Sequence, residues 1–184
     1  LVAQDVRINE FLALNQNGLT DEDGTYSDWI ELFNASSADV DLEGWSLTDD
    51  AIRLDKWTFP DVTVPSGGYL LVFASGNDRT DPGNPLHSNF KLSGSGEYLA
   101  LVDAGGRIVT EFSPFYPEQT VDQSWGYLNG DWVGFSEPTP GAFNGNAPVG
   151  SYPPPVFSHS HGFYSVPFQV SIETSVAGGI ILYT

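Results

Sequence analysis

The segment from Thr20 to Asp28, which reads Thr-Asp-Glu-Asp-Gly-Thr-Tyr-Ser-Asp, concentrates side chains that could bind a metal ion. Ca²⁺ takes about six to eight oxygen ligands, and Asp21, Asp23 and Asp28 could supply three of them from one loop. The spacing excludes an EF-hand, because placing Gly24 at the required glycine of that motif leaves apolar residues at its first and last ligand positions. The segment therefore predicts either an irregular calcium site or an Asx-rich turn whose carboxylates bond the local backbone.

Glu10 and Glu31 are unusual because each lies inside an apolar run with the alternation of a β-strand. Alternation places Glu10 on the same strand face as Ile8 and Leu12, and Glu31 between flanking aromatic residues. A buried carboxylate is costly unless it is paired or hydrogen-bonded. Two carboxylates on neighbouring strands could act as the acid and base of glycoside hydrolysis. We favour the interpretation that both accept backbone hydrogen bonds or lie on a solvated sheet face.

The remaining candidate patterns give weaker indications of a functional site. His159 and His161 are two residues apart and would share a strand face, as pairs of transition-metal ligands do, but no third ligand is suggested nearby. No serine lies in the glycine pattern of a nucleophile elbow, so Ser-His-Asp catalysis has no support. Exposed aromatic side chains could form a platform for sugars. We therefore predict no catalytic residues and no cofactor, with calcium as the one candidate ion.

The charge balance excludes several classes of partner. The chain has 24 Asp and Glu against six Lys and Arg, a formal net charge of −18, and no Cys. Nucleic-acid binding requires basic residues that neutralise phosphates, and six scattered cations cannot form a basic stripe. An anionic membrane surface would repel the chain, and no apolar run approaches the length of a membrane span. Cations are the natural small partners of such a surface, although acidic residues also serve solubility alone.

Short strands must position these residues, because the sequence contains no sustained helical period. The chain has 20 Gly and 13 Pro, too many for long helices. Runs rich in β-branched and aromatic residues recur instead, at spacings of about 8–12 residues. The predicted strands are 6–14, 28–34, 40–42, 45–48, 56–59, 69–74, 97–102, 107–112, 123–127 and 132–133. This pattern predicts an all-β sandwich or barrel, with the Trp residues in its core.

The chain divides into three predicted regions. Residues 1–146 form the sandwich, residues 147–155 a linker rich in Pro and Gly, and residues 156–184 the truncated start of a second β-domain. That last region holds three strands at most, which is rarely enough for independent stability. We therefore expect the natural protein to continue with further domains beyond Thr184.

Six motifs follow one another in an order that is specific as a set. They are residues 8–11, 28–34, 40–47, 65–72, 96–103 and 137–141, the second of which reads Asp-Trp-Ile-Glu-Leu-Phe-Asn. In this order the motifs resemble the lamin tail domain in its bacterial extracellular form, over about residues 4–145. The resemblance implies an immunoglobulin-like β-sandwich that serves as an accessory or interaction module and supplies no reaction of its own.

The region after the linker resembles the opening of the small β-domain at the C-terminus of chitobiase and hexosaminidase-like proteins. The residues that carry this resemblance are Pro155, Phe157, Gly162, Phe163, Tyr164, Phe168, Val170, Ile181, Tyr183 and Thr184. It implies a short C-terminal β fragment of an accessory domain, without the catalytic carboxylates of those enzymes.

These observations predict a non-catalytic interaction, adhesion or structural module, calcium-stabilised if the ion binds, of a large secreted or cell-surface bacterial protein. The expected partner is a protein or a cell-surface polysaccharide, with no nucleic acid and no membrane insertion. A first alternative is a carbohydrate-binding accessory module of a secreted enzyme, which a coplanar row of exposed aromatics would favour. A second is a hydrolase that uses Glu10 and Glu31, which an open cleft between them would favour.

Overall fold

Every element that the structure describes is a β-strand, as the composition predicts. The computed structural model describes residues 6–145, 148–149, 156–158 and 169–173. Residues 1–149 form a first compact unit. Its strands are β1 (Val6–Leu12), β2 (Trp29–Asn34), β3 (Val40–Asp41), β4 (Ser46–Thr48), β5 (Trp57–Thr58), β6 (Thr63–Val64), β7 (Tyr69–Phe73), β8 (Leu86–His87), β9 (Leu99–Val102), β10 (Ile108–Phe112), β11 (Ser124–Leu128), β12 (Asp131–Phe135) and β13 (Pro148–Val149).

Two main sheets make up this unit. The large sheet has the strand order β13-β12-β11-β1-β2-β7-β8, and the small sheet the order β10-β9-β4-β5, while β3 and β6 form a separate pair. Neighbouring strands of the two main sheets are antiparallel, except that β7 and β8 are parallel. Each edge strand of the large sheet, β8 and β13, is only two residues long.

The core lies between the two sheets. Ile8, Ile30 and Val72 of the large sheet share one buried cluster with Leu47 and Leu101 of the small sheet. Side chains from the inner faces of both sheets therefore exclude water together, which is the packing of a β-sandwich. The structure confirms the predicted all-β sandwich.

A β-bulge in β1 decides which of its side chains face this core. The register with β2 pairs Ile8 with Leu32 and Glu10 with Glu31, so Asn9 is the extra residue. Ile8 lies in the main core, whereas Leu12 packs in a second cluster on the other side of the sheet. The predicted alternation, which put Ile8 on the same face as Glu10 and Leu12, is therefore wrong at Ile8, because the bulge inverts the two faces.

Residues 150–184 form a second compact unit, which begins inside the predicted linker. The structure describes one antiparallel pair in it, β14 (Val156–Phe157) and β15 (Ile172–Glu173). In the parts of both units that the structure describes, no helix is long and apolar enough to cross a membrane.

Candidate functional site

Two buried carboxylates lie opposite each other in the middle of the large sheet. The bulge at Asn9 places Glu10 of β1 in register with Glu31 of β2, and both residues are 0% exposed. Residues 139–144, which follow β12 and which we call the clasp, supply hydrogen bonds to both carboxylates. The sequence motif at 137–141 thus meets the first two motifs of the chain in space.

Glu10 is bonded at both of its carboxylate oxygens. Its Oε1 accepts hydrogen bonds from Ser124 Oγ and from the backbone N of Thr139, the latter at 3.1 Å. Its Oε2 accepts from the same backbone N at 3.2 Å and from Thr139 Oγ1 at 2.9 Å. Glu10 therefore ties the start of β11 to the start of the clasp.

Glu31 is satisfied in the same way, by one donor from the clasp and one from β1. Its Oε2 accepts from the backbone N of Gly141, and its Oε1 accepts from Asn9 Nδ2 at 2.9 Å. The buried amide of Asn144 closes the network, because its Oδ1 accepts from Asn9 Nδ2 at 2.9 Å and its Nδ2 donates to the backbone O of Asn9 and Tyr127, at 2.9 and 3.0 Å. All four carboxylate oxygens of the pair thus have partners inside the fold.

Burial sets the proton affinity of this pair. It raises the pKa of Glu31 to about 7, against the opposing hydrogen bonds from Gly141 and Asn9 and with the help of the Glu10 charge. Burial also raises the pKa of Glu10, against hydrogen bonds from Ser124 and Thr139. The hydrolase alternative needs an open cleft between the two carboxylates, and the clasp fills that position. The two carboxyl groups can therefore bind protons, and their hydrogen bonds link β1 and β2 to β11 and the clasp.

Asp21 organises the acidic loop, which we define as residues 20–28. Its Oδ1 accepts hydrogen bonds from the backbone N of Asp23 at 3.1 Å and of Thr25 at 2.9 Å, and its Oδ2 accepts from Ser27 Oγ at 2.7 Å. A carboxylate that bonds the backbone two and four residues ahead is an Asx-type turn. The side chain of Asp21 therefore shapes the loop from within.

A second set of contacts holds the acidic loop against the end of β7 and β8. Arg79 forms ion pairs with Glu22 and Asp23. His87, which is fully buried, places its Nε2 3.0 Å from Glu22 Oε2. The hydrogen bond with His87 is the largest of the influences that lower the pKa of Glu22 to about 2. The loop is thus joined to the sheet through charged groups.

The three predicted calcium ligands are not gathered around one point. Asp21 bonds its own loop, Asp23 pairs with Arg79, and Asp28 Oδ1 accepts from the backbone N of Asn15 at 3.0 Å. Among the residues that the structure describes, no group of three or more His, Asp or Glu side chains is arranged to hold a metal ion. The geometry agrees with the alternative interpretation of this segment as an Asx-rich turn.

Sequence reasoning missed a hydrogen-bonded chain of Ser75, His87 and Glu22. Ser75 Oγ lies 2.7 Å from His87 Nδ1, and His87 Nε2 faces Glu22. This order is that of a Ser-His-acid relay. However, the backbone N of Asn77 donates to Ser75 Oγ at 3.1 Å, and Arg79 shares the Glu22 carboxylate. No sequence signal could have found the chain, because its members are far apart and stand in no catalytic motif.

An open pocket of about 120 Å³ lies beside Ser75, the first residue of this hydrogen-bonded series. It is lined by residues 25–28 and by Ala74, Ser75 and Lys91. Burial raises the pKa of Asp28 to about 6, against one backbone hydrogen bond and the charge of Lys91. The pocket therefore combines a partly desolvated carboxylate, an ammonium group and hydroxyl groups.

A series of ring contacts crosses five adjacent strands of the large sheet. The guanidinium carbon of Arg7 lies 4.9 Å from the ring centroid of Phe33 and 4.7 Å from that of Tyr127. Beyond them, Phe33 and Tyr69 are 4.8 Å apart and inclined by 36°, and Tyr127 and Trp132 are 5.5 Å apart and inclined by 67°. These rings are not the coplanar row that a flat sugar platform requires.

The first five of the six motifs lie within a match to a known family. A family model described as Lamin Tail Domain matches residues 2–115, which is more than half of the chain. The chain belongs to the lamin tail domain family. The match confirms the predicted family over that range. No curated protein matches the chain.

This lamin tail domain continues past the matched residues. Strand β11 lies between β12 and β1 in the large sheet, and the clasp follows β12. Glu10 and Glu31 lie within the matched range, whereas Ser124, Thr139 and Gly141, which donate to them, lie beyond it. The buried network therefore joins the matched part of the domain to its last strands.

The predicted histidine pair of the lamin tail chain, His159 and His161, lies outside the described residues. The same holds for most of the residues on which the resemblance to a chitobiase-like β-domain depends. The family match ends at residue 115, well before that region. The second resemblance stays a prediction.

Proposed function

We propose that this lamin tail domain is a non-catalytic interaction module, with an adhesive or structural role in a secreted or cell-surface bacterial protein. One observation carries the proposal: the four carboxylate oxygens of Glu10 and Glu31 accept hydrogen bonds from the fold itself. The residues best suited to acid–base chemistry are used to hold the clasp on the sheet. A sandwich closed in this way is a rigid platform whose loops are free to bind a partner.

Charge supports a partner that is a protein or a cell-surface polysaccharide. The net charge of −18 disfavours polyanions such as nucleic acids. The extracellular location rests on the resemblance of the motifs to the bacterial form of the family. The chitobiase-like character of residues 155–184 belongs to the same proposal, as the start of a second accessory domain.

The Ser75–His87–Glu22 chain and the buried carboxylate pair are the two arrangements that a catalytic alternative would use. Incubating the chain with a fluorophosphonate probe tests the first, because the oxygen of an activated serine attacks the phosphorus, forms a phosphonate ester and expels fluoride. Incubation with chromogenic glycosides tests the second. We expect no labelling and no hydrolysis above the buffer control.

Matched variants make the result specific. Labelling of the wild type that S75A abolishes and S37A retains would overturn the proposal, since Ser37 is exposed and outside the relay. Glycoside hydrolysis that is lost in E31Q and retained in S37A would overturn it as well. Labelling that persists equally in S75A and S37A is background and supports the proposal.

A further inference from the structure

The pocket beside the acidic loop has the polar groups of a ligand site. None of its lining residues belongs to the buried network of Glu10, Glu31 and the clasp. We propose that this pocket binds one neutral sugar ring, with two adjacent hydroxyls bridging Asp28 and Lys91 and the ring packed on Tyr26. The proposal rests on the non-catalytic binding role given above and names the ligand class. It selects a polysaccharide over a protein as the partner.

Lys91 provides the first argument, because it is an unpaired cation on a strongly acidic chain. The cations that form ion pairs with carboxylates are Arg53, Lys56, Arg79 and Arg107. Arg7 lies between two aromatic rings. Lys91 is exposed, lines the pocket and, within the described residues, has no carboxylate oxygen within 4.0 Å. Its three N–H donors are available to a ligand.

Asp28, which lines the same pocket as Lys91, provides an available acceptor. Its Oδ1 accepts from the backbone N of Asn15 at 3.0 Å, and its Oδ2 has no hydrogen-bond donor among the residues that the structure describes. With a pKa of about 6, the carboxylate is mostly ionised at neutral pH. A hydrogen bond to an ionised group is about twice as strong as one between neutral groups.

Opposite charges on one small pocket favour a neutral ligand. An anion would be repelled by Asp28 and by the net charge of the chain, and a cation at Asp28, although the net charge attracts it, would be opposed at close range by Lys91. A hydroxyl group donates and accepts at the same time. Adjacent hydroxyls of a sugar can therefore donate to Asp28 and accept from Lys91.

Tyr26 and the size of the pocket point to a single ring. Tyr26 is 47% exposed, so its aromatic face is open to the apolar C–H face of a pyranose. A cavity of about 150 Å³ holds one benzene molecule, so an open pocket of about 120 Å³ admits one face of a single sugar ring and leaves the rest of a polysaccharide in solvent. The ligand is therefore a terminal or projecting sugar unit.

The walls of the pocket are held in place before any ligand arrives. The backbone N of Ala74 donates to the backbone O of Asp28 at 2.7 Å, which fixes the two sides of the pocket to each other. Ser75 Oγ is bonded to the buried His87. Fixed walls reduce the ordering cost of binding, although a single ring offers only enough contact for a Kd of about 1 mM.

Titration of the ¹⁵N-labelled chain with methyl glycosides of glucose, galactose, mannose and N-acetylglucosamine, each to about 50 mM, tests the proposal. We expect at least one glycoside to shift the amide signals of residues 25–28 and 74–76 along a saturable curve. D28N and K91A should each weaken this binding by about tenfold or more, because each removes one charge-assisted hydrogen bond. Y26A should weaken it, while D61N and F115A, at exposed positions outside the pocket, should bind as the wild type does.

Three outcomes would overturn the proposal. They are the absence of saturable shifts with all four glycosides, shifts that D28N and K91A leave unchanged, and saturable shifts at these amides with glycine in place of a glycoside. None of these outcomes would contradict the non-catalytic role, which the fluorophosphonate and hydrolysis experiments test. Conversely, labelling of Ser75 would overturn that role even if a glycoside bound.

Discussion

Two opposing influences act on the proton of Glu31, namely burial and the hydrogen bonds from Asn9 and Gly141. Burial is the larger, so the pKa rises to about 7 from an ordinary value of 4.5. Between these two values the folded chain binds a proton at Glu31 more tightly than the unfolded chain does. The stability that this group contributes is therefore fully present below pH 4.5 and is lost as the pH rises through 7.

We expect E31Q to remove this part of the pH dependence. The difference between the two pKa values corresponds to about 3 kcal/mol of unfolding free energy, which the wild type loses between about pH 4.5 and pH 8 and the variant retains. Urea denaturation of both proteins at about pH 5 and pH 8 measures it. Asp28, whose burial raises its pKa to about 6, leaves a smaller slope of the same sign in the variant. Equal pH dependence in the two proteins would contradict the raised pKa of Glu31.

The sequence located Glu10 and Glu31 as carboxylates inside apolar strands, but it left their burial open and did not give their partners. Glu10 and Glu31 stand inside apolar runs, which indicated carboxylates in need of hydrogen bonds. Thr139 lies 129 residues from Glu10, and Asn144 lies 135 residues from Asn9. Pairing over such distances is decided by strand order, which no local pattern encodes.

The contact between the clasp and β11 depends on a strand position without a side chain. A Cβ atom at Gly126 would lie 2.6 Å from Asn144 Nδ2 and 2.9 Å from Phe135 Cε2. The amide of Asn144 reaches the backbone of β1 and β11 only because this space is empty. Gly126 is therefore part of the buried network although it has no functional group.

We expect G126A to destabilise the domain by roughly 2–3 kcal/mol, because the added methyl group must displace the Asn144 amide or the Phe135 ring. G134A is the matched control on the paired strand β12. A Cβ there would meet Trp125 at 3.6 Å, an ordinary contact, so its effect should stay within about 0.5 kcal/mol. Thermal or urea unfolding of the two variants gives the comparison, and equal losses would show that the network does not need the space at Gly126.

The acidic loop allows a direct test of the calcium prediction. Because Asp21, Asp23 and Asp28 each bond a different partner, we expect the melting temperature to be the same in about 5 mM Ca²⁺ and in EDTA. A rise of several degrees in Ca²⁺ that D61N retains and D23N loses would restore the calcium site, since Asp61 is exposed and outside the loop.

Strand prediction succeeded where the chain carries alternating or continuous apolar runs and failed at two very short strands that lack such a run. The runs around β1, β2 and β7 carry alternating or continuous apolar residues, and the structure places strands there. Two strands of two residues each, β6 and β8, had no such signal. The tertiary fold creates them, because their neighbours offer unpaired backbone groups. The role of His87 in the acidic loop was missed for the same reason.

The domain as a whole depends on residues beyond the family match. A fragment of residues 1–115 lacks β11, β12 and the clasp, so Glu10 and Glu31 would lose the donors of Ser124, Thr139 and Gly141. We expect this fragment to show no cooperative unfolding and poorly dispersed amide signals. Residues 1–149, which form a compact unit, should unfold cooperatively and give well-dispersed amide signals. Well-dispersed signals from residues 1–115 would contradict the structural role of the clasp.

The short edge strands of the large sheet have a consequence for the protein at high concentration. A long exposed edge recruits a second chain by continuing the ladder of backbone hydrogen bonds. Here β13 offers two residues, and at β8 the backbone of His87 already exchanges hydrogen bonds with Arg79, at 2.9 and 3.0 Å. Among the residues that the structure describes, the large sheet therefore offers little backbone edge for growth into fibrils.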